Sequence, residues 1–207
     1  RVGSQISGSN YAVLKATIQA AMDDCDILNL SLGGAGYDEI VMDSIRDARD
    51  QGMLVAVAAG NKGRQNVEYP AAYPGATAVS AMGSELDFPA GCYFADEVLR
   101  PPYGVQPDEY IARFSNVGQA IACTGLGSGV LSTLPNGRFG PMSGTSMATP
   151  MVAGATAALL SQNPATLAMP RDRARSDAIE RLLLTSCVQR FGGGYPEGFG
   201  LPDPAKV

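Results

Sequence analysis

Hydrophobic positions along the chain alternate between two spacings. From Asn10 to Asp24 they recur as Leu14, Ile18 and Met22 with Ala21 beside them, the pattern of one helical face. Ile27 to Leu32 is a short apolar run that stops at Gly33-Gly34 and reads as a buried strand. Helical spacing returns over Asp38 to Gln51, with Val41, Ile45 and Ala48 inward and Gly52 just past the C-terminus. Met53 to Ala59 is apolar throughout, as expected of a strand covered on both faces. Further strands are predicted at Ala76 to Met82, near Ala120 to Cys123, and at Val130 to Leu134. A helix is predicted from about Ser146 to Gln162, its apolar stripe including Met147, Met151, Val152, Leu159 and Leu160. A charged helix covers roughly Arg171 to Ser186, and no internal repeat interrupts the order.

Strands that alternate with helices predict an α/β fold with a parallel sheet, whose ligands bind beyond the carboxyl ends of the strands. Ser31, Asn61 and Ser146 all fall at such ends or turns. Ser146 is the most suggestive of them. Ser143, Gly144 and Thr145 let the backbone turn tightly before it, and an apolar helix follows. A hydroxyl there sits beside unpaired N–H groups and the positive end of the helix dipole, which suits a nucleophile. An ordinary helix N-cap would need a small polar residue, but not the run Gly144-Thr145-Ser146-Met147-Ala148-Thr149-Pro150.

That run, continuing Met151-Val152-Ala153-Gly154, resembles the nucleophile segment of the subtilisin-like serine proteases. Other segments resemble the same family in the same order. They are Asn29-Leu30-Ser31-Leu32-Gly33-Gly34, Val55 to Asn61, Tyr69-Pro70-Ala71-Ala72-Tyr73-Pro74, Phe114 to Gly118 and Ser132 to Pro135. The resemblance implies a three-layer α/β/α fold and a serine endopeptidase in which Ser146 forms an acyl-enzyme. It places Asn61 in the oxyanion hole, with the Ser146 N–H as a second donor to the carbonyl oxygen as it gains charge. A Gly-Asn pair on its own would only shape a turn with Lys62-Gly63. Ser31, Leu32 and Gly33, together with Ala58, Ala59 and Gly60, correspond to the walls of the pocket for the residue before the scissile bond. Glu68 corresponds to a position near that pocket's floor. An ionised carboxylate there would favour Arg or Lys substrates, whereas pairing with Lys62 or Arg64 would leave the pocket indifferent.

Composition adds one hard constraint. The 207 residues are 45% hydrophobic and are about one domain by length, read as positions 1–207 of one catalytic unit. A net charge of −5 argues against nucleic acid or an anionic membrane as partner, and no apolar run is long enough to span a bilayer. There is no histidine. The family triad takes its Asp and His from positions before the serine, and this chain begins close to Ser7-Gly8-Ser9, which lies after both. The expected partners are therefore an upstream segment of the same precursor, supplying Asp and His, and a peptide or protein substrate. A strand edge left bare by that segment would be open and apolar. The competing reading is an inactive relative that binds peptides along Ser31 to Gly33 by strand addition. Sedolisins, which use Glu and Asp, place an aspartate where this chain has Asn61. An α/β-hydrolase would show G-x-S-x-G with a histidine after the serine.

Gly83 to Arg113 holds Pro89, Pro101, Pro102 and Pro107 with Phe88, Phe94, Tyr103 and Tyr110, where the family usually has a short loop. It reads as an insertion at about 83–113 that extends a subsite, meets a partner or merely elaborates the surface. The four cysteines, Cys25, Cys92, Cys123 and Cys187, allow three pairings if all pair. Cys25 and Cys123 read as buried thiols, and Cys92 and Cys187 as the more accessible ones. No cofactor is required. The resemblance admits structural calcium, with carbonyls of Ala71 to Ala76 as one weak cation site, but no acidic cluster supports it. It also carries an expectation of secretion or a periplasmic location, and of a domain that ends near Val207.

Overall fold

The computed structural model describes residues 9–34, 36–90, 94–104 and 106–206, so Ser7, Gly8, Cys92 and Val207 lie outside the described residues. The chain runs α1 (Asn10–Met22), β1 (Ile27–Leu30), α2 (Glu39–Asp50), β2 (Leu54–Ala58) and β3 (Thr77–Ser84), then a 3-10 turn at Ala95–Glu97 and β4 (Glu109–Ile111). It continues with β5 (Ile121–Leu126), β6 (Val130–Leu134), β7 (Arg138–Met142), α3 (Thr145–Ser161), α4 (Pro164–Leu167) and α5 (Arg173–Ser186). The short strands β8 (Cys187–Val188) and β9 (Leu201–Pro202) and a 3-10 turn at Pro204–Lys206 close the order.

A mostly parallel sheet is covered on both faces, as the alternation predicts. β1, β2, β3 and β5 pair in parallel, with Ile27 opposite Leu54, Ala56 opposite Thr77, and Ala78 opposite Ile121. β2 is buried at every position, and its alternate side chains serve two cores. Leu54 and Ala56 face a cluster with Val79, Ala148, Val152, Ile179 and Leu183, from the α3 and α5 side. Val55 and Val57 face Val41, Ile45, Ala48 and Met53, from the α2 side. α3 reaches close to the sheet because Gly125 has no side chain. A Cβ there would come within 2.6 Å of the Ala148 carbonyl oxygen.

Several boundaries and faces differ from the expectation. β1 stops at Leu30, and Ser31 to Gly34 continue outside the ladder, with Gly34 at φ of 94°. On α1 the buried residue is Thr17, and Ile18 and Met22 are exposed. The helix is rolled so that Val13, Ala20 and Ala21, rather than the larger residues, meet the core. β6 is real but pairs with β7 in a separate antiparallel hairpin. Within the 83–113 interval, β4 pairs antiparallel with the end of β3. Cys187 is not an accessible thiol: it is buried in the same core cluster as Cys123. Cys25 is only half-buried.

Polar side chains fasten the elements. Asp38 caps α2 by accepting from Ile40 and Val41 N–H, and a hydrogen bond from Asn10 helps hold its carboxyl below the usual range. Gly52 follows α2 with φ of 78°. Arg175 on α5 is buried and donates to the Gly52 carbonyl at 2.8 Å and to Asp26 at 2.7 Å. Glu197 is fully buried and accepts from Arg190, Phe191 and Gly193 N–H at 2.8, 2.7 and 2.6 Å.

An acceptor-only carboxylate that satisfies three backbone donors cannot be removed cheaply. Glu197→Ala is expected to destabilise the protein by about 2–3 kcal/mol in equilibrium urea unfolding. A loss below about 0.5 kcal/mol would show that water replaces the carboxylate without cost.

Candidate active site

The nucleophile candidate is built by what α3 lacks. Gly144 precedes the helix with φ of 150°, and Ser146 is its second residue, half-buried. Pro150 lies inside the helix, four residues later. Proline has no N–H, so the Ser146 carbonyl receives no helical hydrogen bond from it. Ser31 supplies the missing donor: its hydroxyl donates to the Ser146 carbonyl at 2.8 Å. The Ser146 hydroxyl donates back to the Ser31 carbonyl at 3.3 Å. This reciprocal pair joins the start of α3 to the segment beyond β1.

Asn61 follows β2 and lies across the same turn. Its Oδ1 accepts from the Thr145 N–H at 2.8 Å and from the Thr145 hydroxyl at 3.0 Å. A backbone N–H can only donate, so the amide oxygen must face it and the NH2 group points away. Asn61 is exposed, and its Nδ2 has no partner among the described residues. The Ser146 N–H belongs to the first turn of the helix and is likewise uncommitted. Two free donors at this turn can receive an oxygen that gains negative charge.

The backbone around Asn61 is held from behind. Gly60 has φ of 111°, and a Cβ there would meet the Asn116 amide at 2.4 Å and Glu68 Oε2 at 2.6 Å, so only glycine fits. The Gly60 N–H donates to Thr145 Oγ1 at 3.3 Å. Asn116 is fully buried. It donates to the carbonyls of Ala59 and Asn66 at 3.2 and 3.0 Å and accepts from Lys62 N–H at 2.8 Å. Its own N–H donates to the Gly60 carbonyl at 3.0 Å. Arg64 extends the turn by donating to the Ile111 carbonyl at 3.0 Å. Burial lowers its guanidinium to about 10.

The pocket-wall candidates divide into two groups. Leu32, Gly33 and Gly34 are exposed, and a Cβ on Gly33 would lie 3.5 Å from the Tyr69 carbonyl and 3.8 Å from that of Ala58. Ala58 and Ala59 are buried, and the Ala59 N–H and carbonyl are already bonded to Val79, Glu68 and Asn116. Glu68 places one carboxylate oxygen against Gly60 and the other against Lys62 Nζ, and its side chain is 17% exposed. Of the two readings of Glu68, the structure bears on one: the carboxylate is paired with Lys62.

No imidazole or second carboxylate reaches Ser146 among the described residues. The thiols offer no substitute: hydrogen bonding to Cys187, and then burial, push the Cys123 thiol well above its ordinary range. No group of three His, Cys, Asp or Glu that could hold a metal exists among the described residues. The Ala71 to Ala76 loop offers carbonyls only, and the Tyr73 carbonyl already accepts from Ala76 N–H. No helix among the described residues is long and apolar enough to cross a membrane.

From the sequence, Thr145 had only a place in the turn, and Asn116 and Pro150 no role beyond their motifs. The Pro150 signal was readable, since a proline four residues after a serine always frees that serine's carbonyl. Asn116 was not: its partners are distant in sequence.

A mostly parallel α/β/α sandwich with a serine at a helix start and an asparagine at a strand end defines a subtilisin-like fold. The chain belongs to the subtilase family, Peptidase S8, which residues 1–201 match. Subtilisin NAT of Bacillus subtilis subsp. natto is 35% identical over 177 residues, covering 83% of this chain and 40% of that protein. Halolysin of Haloferax mediterranei is 36% identical over 187 residues, covering 90% of this chain and 31% of that protein. Among solved structures, sphericase superposes with a TM-score of 0.67 at 27% identity, over 93% of this chain and 62% of that one. The prenylagaramide maturation protease PagA reaches 0.73 at 23% identity, over 100% of this chain and 69% of that one, a likeness of fold. The chain spans about 40% of the length of the subtilisins it matches first.

Proposed function

We propose that this chain is the nucleophile-bearing part of a serine endopeptidase. Ser146 attacks the scissile carbonyl, and Asn61 Nδ2 and the Ser146 N–H receive the oxyanion. An upstream segment of the same precursor supplies the Asp and His. The observation that carries the reading is the Asn61–Thr145 pair, which spends the amide oxygen on the residue before Ser146 and leaves Nδ2 free. An inactive peptide-binding relative would have no use for that orientation. An open edge supports an upstream segment: among the described residues β1 pairs only with β2, and Tyr11, Ile18 and Met22 of α1 are exposed.

With the upstream imidazole in place, the catalytic sequence is as follows. The Ser146 proton, now given to the Ser31 carbonyl, passes to the imidazole of the upstream segment as Oγ bonds to the substrate carbon. The carbonyl oxygen becomes an oxyanion between the two donors. The amine leaves with the proton from the imidazole, and water then hydrolyses the acyl-Ser146 ester by the same path. Residues Ser31 to Gly33 offer backbone groups for the peptide on one side.

Glu68 gives the pocket a preference for Arg or Lys before the scissile bond. Its one cationic partner among the described residues is Lys62, which is 65% exposed, and a pair with so solvated an ammonium contributes about 1 kcal/mol or less. A substrate guanidinium can therefore displace Lys62 at little cost.

A fluorophosphonate probe applied to the protein expressed from its own precursor is expected to label Ser146 stoichiometrically, as mapped by mass spectrometry. Folded protein that does not react would favour the peptide-binding relative. Otherwise identical Arg and Phe substrates separate the specificity claim. Arg is expected to have the higher kcat/KM, by about tenfold, and Glu68→Gln is expected to erase most of that gap. Equal or better turnover of Phe by the parent enzyme would end the idea.

A further inference from the structure

The 83–113 interval does not stand away from the molecule. Its last residue folds back on its middle, since Arg113 N–H donates to the Glu97 carbonyl at 2.8 Å and Arg113 Nη2 to the Val98 carbonyl at 3.2 Å. Its inward side chains, Phe88, Phe94, Glu97 and Tyr110, converge on two residues of the turn between β5 and β6. Those residues are Ser128 and Gly129. The Tyr110 hydroxyl donates to Ser128 Oγ at 3.0 Å, and the Ser128 hydroxyl donates to Glu97 Oε2. Phe88 and Phe94 pack with ring centroids 5.6 Å apart, and a Cβ on Gly129 would meet both rings within 3.2 Å.

The same turn holds the backbone that leads into Ser146. The Gly129 N–H donates to Ser143 Oγ at 2.9 Å. The Gly127 carbonyl accepts from Gly144 N–H at 2.8 Å. Glu97 is thus linked to the nucleophile turn by a continuous path: Glu97 to Ser128, along the backbone to Gly129, and then to Ser143. The direction of each bond is fixed. A carboxylate only accepts, so it takes the single Ser128 proton, and Ser128 Oγ is left to accept from Tyr110. The half-buried setting makes this charge-assisted bond the strongest of the clamps on the turn.

We infer that Glu97 is a positioning residue for the nucleophile: through Ser128 it fixes the Ser143–Gly144 turn, and with it the placement of the Ser146 hydroxyl and N–H. The inserted segment therefore serves the rate of reaction. Small displacements of a reacting group lower rate without changing how tightly substrate binds, so the effect falls on kcat. The inference rests on the hydrolase reading proposed above.

The test compares Glu97→Ala, Glu97→Gln and the parent, each expressed from its own precursor, using a peptide p-nitroanilide and thermal unfolding. Glu97→Ala is expected to lower kcat by about tenfold with KM within about twofold and an unchanged unfolding midpoint. Glu97→Gln keeps an amide oxygen to accept the Ser128 proton and is expected to restore most of kcat. Ser128→Ala breaks the same link from the other side. It is expected to reproduce the loss, and its combination with Glu97→Ala is expected to add little. Should Glu97→Ala fail to fold, the Gln variant and Ser128→Ala still decide the matter. Undiminished kcat in Glu97→Ala or Ser128→Ala, or a loss confined to KM, would overturn the positioning role while the parent stays active. A parent that hydrolyses nothing and takes no fluorophosphonate would overturn the hydrolase reading and this inference with it.

Discussion

The carbonyl of Ser146, freed by Pro150 and taken by the Ser31 hydroxyl, is the contact on which the site depends. In an uninterrupted helix that carbonyl would be spent on the fourth residue along, and nothing would draw the segment beyond β1 toward α3. Here the helix gives up one internal bond and gains a tie to a chain segment far away in sequence. The return bond from the Ser146 hydroxyl then orients the nucleophile candidate before any substrate arrives. A kcal/mol or so of helix stability is exchanged for alignment, the form of preorganisation that lowers a reaction barrier.

The surrounding polar network performs the same task for Asn61. Thr145 uses both its N–H and its hydroxyl on the amide oxygen, which fixes which way the amide faces. Gly60 donates to that Thr145 hydroxyl, and Asn116 bonds the backbone on both sides of Gly60. Gly60, Asn116 and Thr145 are buried, and Asn61 is exposed. Buried networks of this kind are costly when incomplete and rigid when complete. Rigidity here is confined to the residues that would meet developing charge, whereas Leu32 to Gly34 are exposed and unladdered.

The central strands, the four long helices and the order Ser31, Asn61, Ser146 were legible in the sequence because burial imposes a spacing. β2 is the plainest case: a strand covered on both faces leaves no polar position to confuse the pattern. Amphipathic α2 was equally plain, down to Gly52 beyond its end. The face of α1 was misread because Thr17, a small polar residue that bonds the Val13 carbonyl, fits the buried position better than Ile18. Cys187 was read as one of the more accessible thiols because it lies near the end of α5, yet it is buried in the same core cluster as Cys123. Long-range polar partners were out of reach altogether. Arg175 to Asp26 and Asn116 to Ala59 span more than 50 residues each, and no local pattern records them.

The account stands or falls on whether Asn61 binds charge that exists only during reaction. Affinity for a peptide boronic acid, which makes a tetrahedral anionic adduct with a serine, reads this directly when compared with KM for the matching peptide substrate. Asn61→Ala should weaken the boronate by about 10²-fold while KM moves less than about threefold, the magnitude being that of a comparable donor in a subtilisin. Equal boronate affinity in the parent and the Asn61→Ala enzyme would contradict the account, because the free Nδ2 would then have no part in stabilising the oxyanion.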